Sequence, residues 1–183
     1  PNITFPIYMT SHVNLIGEGK DITIIDSQSD TTAIIIDNVL NSMIKNLSIT
    51  GVTASDSPWA AEGLRGSGII VRDSDVILQN VSIDSNHGQY AGGIAIFNSD
   101  FEFINVTVLN NSAIEYDAYW YISAPGGIMI ENSNVIIDSS LIAGNMGRLG
   151  GGFYATNSNI NILNTNIIDN NSFGHGGGAY LRG

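Results

Sequence analysis

Glu62, Glu115, Asp117 and Glu131 are the carboxylates whose surroundings invite chemistry. Glycoside hydrolysis uses two such groups roughly 5 to 10 Å apart, and candidate pairs exist among these four. No recognisable catalytic motif joins them, and Arg72 stands as an isolated cation. Aromatic rings gather nearby: Trp59 beside Glu62, then Tyr119, Trp120 and Tyr121 beside Glu115 and Asp117, with His87 and Tyr90 between the two groups. Flat amphipathic rings pack on sugars while carboxylates and amides bind hydroxyls, so this set reads as the wall of a carbohydrate groove. The same rings serve as a small core for the segments that carry them, and the need of a long loop to bury something favours that simpler role. His12, His87 and His175 are too scattered to define a metal site, and the absence of cysteine excludes thiol catalysis, disulfides and Cys-ligated zinc.

The elements that must position these groups repeat. Gly68-Ile-Ile-Val-Arg-Asp73, Gly93-Ile-Ala-Ile-Phe-Asn98, Gly127-Ile-Met-Ile-Glu-Asn132 and Gly152-Phe-Tyr-Ala-Thr-Asn157 align in register, and Ala33 to Asn38 and Gly178 to Gly183 extend the series. The unit is about 25 residues, a solenoid period. Two units carry insertions, about 53–66 and 112–125, and these hold both tryptophans. Apolar residues alternate with period two over short stretches such as Val76-Ile-Leu and Val106-Thr-Val, which predicts three short strands per unit. Asn46, Asn80, Asn105, Ser139 and Asn164 stand between the second and third strands. Six residues after the last four come Asn86, Asn111, Asn145 and Asn170. An amide offers donor and acceptor together and tolerates left-handed corners, so both sets are expected to stack from coil to coil.

The expected architecture is all-β: a single parallel β-helix domain over residues 1–183, of about six or seven coils, with three parallel sheets around a shared core. Right-handedness follows from the general crossover preference. Six Lys and Arg against 17 Asp and Glu leave a net charge of -11 in 183 residues, which excludes nucleic acid as a partner. No apolar run approaches the length of a membrane-spanning helix. Six Asn-x-Ser/Thr sequons begin at Asn2, Asn46, Asn80, Asn105, Asn110 and Asn170, and the repeat itself accounts for three of them.

The repeat resembles those of the right-handed β-helices of the pectin-lyase-like superfamily. Its Gly pairs and its Asn at 86, 111, 145 and 170 are similar to the GGA[IL] and FxxN repeats of polymorphic surface adhesins. By that resemblance the segment after each Gly pair forms the first sheet, both insertions fall in the third turn, and ligands lie along the first sheet. One outward column of that sheet reads Ile35, Ile70, Ala95, Met129, Tyr154 and Tyr180; the other reads Asp37, Arg72, Phe97, Glu131, Thr156 and Arg182. Met129 and Tyr154 thereby join the candidate ligand-binding residues. Related pectate lyases pair an Asp-rich calcium site with an Arg or Lys base, whereas Asp37, Arg72 and Glu131 fall on different coils, so calcium finds little support and no cofactor is expected. Gly174-His175-Gly176 is similar to one polygalacturonase element, but the accompanying aspartate motifs are absent.

Pro1 in place of Met suggests that an upstream stretch is missing, and the last residues begin a coil without finishing it. Either a longer β-helix continues, or neighbouring subunits stack end to end into a fibre. The reading favoured by the sequence is a secreted or surface-exposed structural and adhesive module, which meets extracellular glycans or a cell surface through its aromatic loops. The alternative is a carbohydrate-active enzyme, lyase or hydrolase, with Glu131, Glu115, Asp117 and Arg72 as its catalytic candidates.

Overall fold

The computed structural model describes residues 3–53, 66–89, 91–113 and 124–183. Every strand pairing among them is parallel, and coils stack on one another in three sheets, the expected β-helix. The first sheet has seven strands, from Ile7–Tyr8 through Ile34–Asp37, Ile69–Arg72, Ile94–Phe97, Ile128–Glu131 and Phe153–Thr156 to Ala179–Arg182. Its register keeps equivalent repeat positions side by side: Ile69 pairs with Ile94, Ile94 with Ile128, and Ile128 with Phe153.

The division into sheets differs from the sequence expectation in one respect. The second and third strands of each coil belong to one bent sheet. In the strands Ser42–Val52 and Asp75–Asp84 the chain turns the corner without leaving the ladder. The third sheet consists of a fourth short segment beyond the asparagine ladder: His87–Gly88, Ser112–Ala113, Met146–Leu149 and Asn171–His175. Two-residue strands carry too little alternation to be seen in a sequence.

Three left-handed residues turn the regular coils. At the first corner Asn38, Asp73, Asn98, Asn132 and Asn157 have φ between 48° and 55°. At the second corner Asn46, Asn80, Asn105, Ser139 and Asn164 span 47° to 57°. At the third, Ser85, Asn110, Gly144 and Asp169 do the same. Asn, Asp and Gly dominate because the left-handed region clashes with most side chains. Glycine is needed for another reason at 68, 93, 127 and 152. A Cβ on Gly93 would lie 2.7 Å from the Gly127 carbonyl oxygen, and one on Gly127 would lie 2.2 Å from that of Gly152. The coils approach too closely there for any side chain.

The interior is a column of Ile, Val, Leu and Phe, with Ile44, Leu78, Phe103 and Ile137 in the bent sheet facing Ile69, Ile94 and Ile128 of the first. One polar line runs inside it. Asn86, Asn111 and Asn145 are almost wholly buried, and each amide makes its full set of bonds. Asn111 Nδ2 donates to Oδ1 of Asn145 (3.0 Å) and to the Ile83 carbonyl (2.9 Å); its Oδ1 accepts from the N–H of Asn86 (3.0 Å) and from Asn86 Nδ2 (3.1 Å). A second line, of hydroxyls, lies behind the first corner. The N–H of Ser74 donates to Ser99 Oγ, that of Ser99 to Ser133 Oγ, and that of Ser133 to Ser158 Oγ, each at 3.1 Å. Its sequence signal is the recurring Asn-Ser of 98–99, 132–133 and 157–158.

Asn111→Ala should cost about 3 kcal/mol, because it strands donors and acceptors on both neighbouring coils in a dry interior. Asn105→Ala, at an exposed left-handed corner, should cost only about 1 kcal/mol. Urea denaturation of the two variants checks the ratio.

Candidate functional site

The face on which ligands were expected is the outside of the first sheet. Strand alternation sends Ile94 and Ile96 into the main core and leaves Ala95 and Phe97 outside, as it does for the corresponding residues of each coil. The first outward column is closed. Ile70, Ala95, Met129 and Tyr154 form a second apolar cluster with Ala91, flanked by Phe97, Leu149 and Tyr180. Met129 is 5% exposed and Tyr154 4%, so neither offers an open surface in this state. The Tyr154 and Tyr180 rings stack at 5.9 Å, and the His175 ring stacks on Tyr180 at 6.0 Å. Periodicity alone cannot separate an outward apolar residue that is exposed from one that is covered.

The second column carries the polar chemistry. Arg72, Phe97, Glu131 and Thr156 are in-register neighbours, all half-buried. The Arg72 guanidinium sits 6.0 Å from the centre of the Phe97 ring, a weak cation–π contact. Glu131 follows on the next coil, and burial pushes its carboxyl above the usual range. Arg72 and Glu131 are therefore two coil rises apart, roughly 10 Å, with an aromatic ring between them. Asp37 lies three rises from Glu131, roughly 14 Å, too far for a glycosidase pair.

His87 lies on the third sheet. Its Nδ1 is 2.6 Å from Ser112 Oγ, its register partner on the next coil, and a bridge joins it to Thr53 on the preceding one. Trp59, Glu62, Tyr90, Glu115, Asp117, Tyr119, Trp120 and Tyr121 lie outside the described residues. The margins of both insertions do stack: Thr53 bridges to His87, the backbone N–H of Gln89 donates to the Gly66 carbonyl at 3.0 Å, Ser112–Ala113 is a strand, and the backbone N–H of Arg148 donates to the Ala124 carbonyl at 2.8 Å. Ser112 and Ala113 therefore belong to the stack, not to the second insertion. Among the described residues, no three His, Asp or Glu side chains gather as a metal site would require. Among the described residues, no helix is long and apolar enough to cross a membrane.

The exposed corner amides divide into two kinds, a distinction the sequence does not show. At the second corner Asn80 Nδ2 donates to Asn46 Oδ1 at 2.9 Å, and Asn105 Nδ2 donates to Asn80 Oδ1 at 3.2 Å. Among the described residues, the left-handed amides of the first corner make no bond to the next coil; Asn38 Nδ2 donates only to its chain neighbour Asp37, at 2.8 Å. Two columns of Asp and Asn there border a hollow of about 280 Å³.

A family model described as the right handed beta helix region matches residues 11–182. No curated protein and no solved structure matches the chain.

Glu131 gives a pH signature. Its ionised form is the one disfavoured by folding, so its contribution to stability is present below the unfolded-state value of about 4.3 and is lost as pH rises through the raised folded-state value. Glu131→Gln should therefore melt at a higher temperature than the parent at pH 7, and the gap should close below about pH 4. Thermal melts at the two pH values check this.

Proposed function

The chain belongs to the right-handed β-helix family, and from that membership we propose a structural and adhesive role, outside the cell or at its surface, rather than a catalytic one. The observation that carries this reading is where the chain's polar order goes. Amides, hydroxyls and left-handed turns are spent on keeping coils in register. Among the described residues, the candidate catalytic groups on the outside of the first sheet are one half-buried carboxylate, Glu131, and one arginine, Arg72, two coils away. Such a body is stiff along its axis, because each coil is bonded to the next along every sheet, and it presents side chains at a fixed repeat.

The extended-assembly part of this reading rests on the register itself: Asn159–Leu163, Asn166–Ile168 and Ala179–Arg182 repeat the pairing of the preceding coils, and an in-register parallel stack can be lengthened by any coil of the same kind.

The enzymatic alternative keeps one supporting observation: Glu131, held toward its protonated form beside Phe97 and within reach of the face where related proteins bind. A glycan array combined with a depolymerisation assay on neutral and acidic polysaccharides decides between the two. Binding without turnover is the expected result. Turnover that disappears in Glu131→Gln would overturn the structural reading in favour of a hydrolase or lyase. For assembly, sedimentation and negative-stain microscopy should show concentration-dependent elongated species, and a strict monomer at high concentration would count against end-to-end stacking.

A further inference from the structure

At the second and third corners most exposed amides bond to a neighbouring coil, although among the described residues the Asp169 carboxylate does not. Besides the Asn46–Asn80–Asn105 line, Asn110 Nδ2 donates to Asp84 and Asn164 Nδ2 donates to Asp138. The first corner has the same spacing and the same residue types, yet its left-handed residues Asp73, Asn98, Asn132 and Asn157 are exposed and hold no side-chain hydrogen bond among the described residues. Two positions on, a second column runs parallel to them: Asp75, Asp100, Asn134 and Asn159, each the first residue of a strand, in register from coil to coil. Within that column only one side-chain bond forms, from Asn134 Nδ2 to Asp100 at 2.8 Å.

Folding explains the first column and not the second. A left-handed residue is best Asn, Asp or Gly, but Asp and Asn are depleted in strands. Nor are these side chains needed as caps. The N–H groups of Asp75, Asp100, Asn134 and Asn159 already donate to carbonyls of the preceding coil, at 2.8 to 3.0 Å. Asp75 and Asp100 are direct register neighbours, and like charges placed opposite each other in a sheet are destabilising. A scaffold that tolerates this cost at its most exposed edge has another use for the groups. Space exists for that use. The hollow of about 280 Å³ is lined by both columns from Asp73 to Asn134, with the exposed Leu40 at one end. Asn132 and Asn134 also line an adjoining hollow that runs on past Asn157 and Asn159.

We propose that this first-corner groove binds a neutral linear glycan laid along the solenoid axis, one saccharide per coil. The proposal deepens the adhesive reading above and rests on it. Paired amides and carboxylates on both sides of a shallow trough, bonded to one another only between Asn134 and Asp100, supply donors and acceptors for vicinal hydroxyls. Their repeat is the coil rise of about 4.8 Å, close to the length of one pyranose residue in an extended chain. An extended peptide rises about 3.3 Å per residue and falls out of step with these rungs. A nucleic acid or an anionic polysaccharide meets Asp73, Asp75 and Asp100 on a chain of net charge -11. A hydroxyl-rich, uncharged polymer satisfies both the spacing and the sign.

Isothermal titration with cello-, manno- and β-1,3-gluco-oligosaccharides of two to six residues tests the strip. Affinity for at least one series should rise with each residue up to about four, the number of coils carrying both columns, and then level off. Asp100→Ala with Asn134→Ala should weaken binding by about tenfold or more, with circular dichroism unchanged and a melting temperature no lower than the parent's. If that pair fails to fold, Asp75→Ala with Asn159→Ala tests the same column. Trp59→Ala with Trp120→Ala should leave the strip's affinity intact. Binding that survives the corner changes but is lost with the two tryptophans would overturn the strip while leaving an adhesive module that binds through its loops. Binding of calcium with no oligosaccharide bound would overturn the glycan assignment and make the column a cation site. If neither ligand binds, the strip is wrong, and the scaffold reading then stands or falls on its own assembly measurement.

Discussion

Everything in this molecule depends on turning three corners at the same place on successive coils. Parallel strands in neighbouring coils share hydrogen bonds only if the backbone changes direction at matching positions, and a shift of one residue would send every inward side chain out. A single left-handed residue per corner supplies the turn. Asn38, Asp73, Asn98, Asn132 and Asn157 show how narrow the requirement is, with φ values within a few degrees of one another across five coils. Residues of this type lose little in that conformation, so the corner is nearly free for Asn and costly for a β-branched neighbour.

Once the corners coincide, the rest of the stack follows by repetition. A side chain that satisfies itself against the coil above does so again on the next, and this is why the interior tolerates a line of buried amides. Asn86, Asn111 and Asn145 sit in an apolar column without an unpaired atom, since each amide's two donors and its acceptor oxygen meet complementary groups one rise away. The serine line at the first corner works on the same principle, with each hydroxyl accepting from the N–H of the serine on the preceding coil and donating to a carbonyl two residues back. Glycine at 93, 127 and 152 completes the arrangement, because a side chain there would push adjacent coils apart. Polar order thus replaces the charge pairing that a globular surface would use, in keeping with a composition of only 13% charged residues.

This economy decides what a sequence of this kind reveals. The repeat, the two asparagine lines and the inward Ile columns are legible because each demands the same residue type once per coil. The serine line was equally periodic, yet Ser after Asn reads as ordinary turn chemistry until its partner on the next coil is known. The third sheet, built from strands as short as His87–Gly88, has no pattern to detect. The outward column of the first sheet misled in a different way. Met129 and Tyr154 alternate as exposed strand residues should, but burial by something beyond their own sheet is a tertiary property that spacing does not encode. Glu131 and Arg72 were legible as charges on one face; their separation by two rises with Phe97 between them required the register.

Where repetition explains a residue, function need not be invoked, and the converse carries information. A left-handed asparagine, a glycine under a carbonyl and a buried amide are all accounted for by stacking. Asp and Asn at the first position of four successive strands are not, and neither is a carboxylate held half-buried without a partner at Glu131. In a globular enzyme such positions are hard to isolate, since each site has its own packing context. A solenoid supplies its own control: equivalent positions at the second and third corners carry the same chemistry and use it internally, through Asn80, Asn105, Asn110 and Asn164. The first corner departs from that pattern over four coils at once. A departure repeated in register is hard to assign to local accident, because each coil had the same nearby solution and none adopted it throughout. That edge, bonded within itself only between Asn134 and Asp100, is therefore where we place the proposed contact with a ligand.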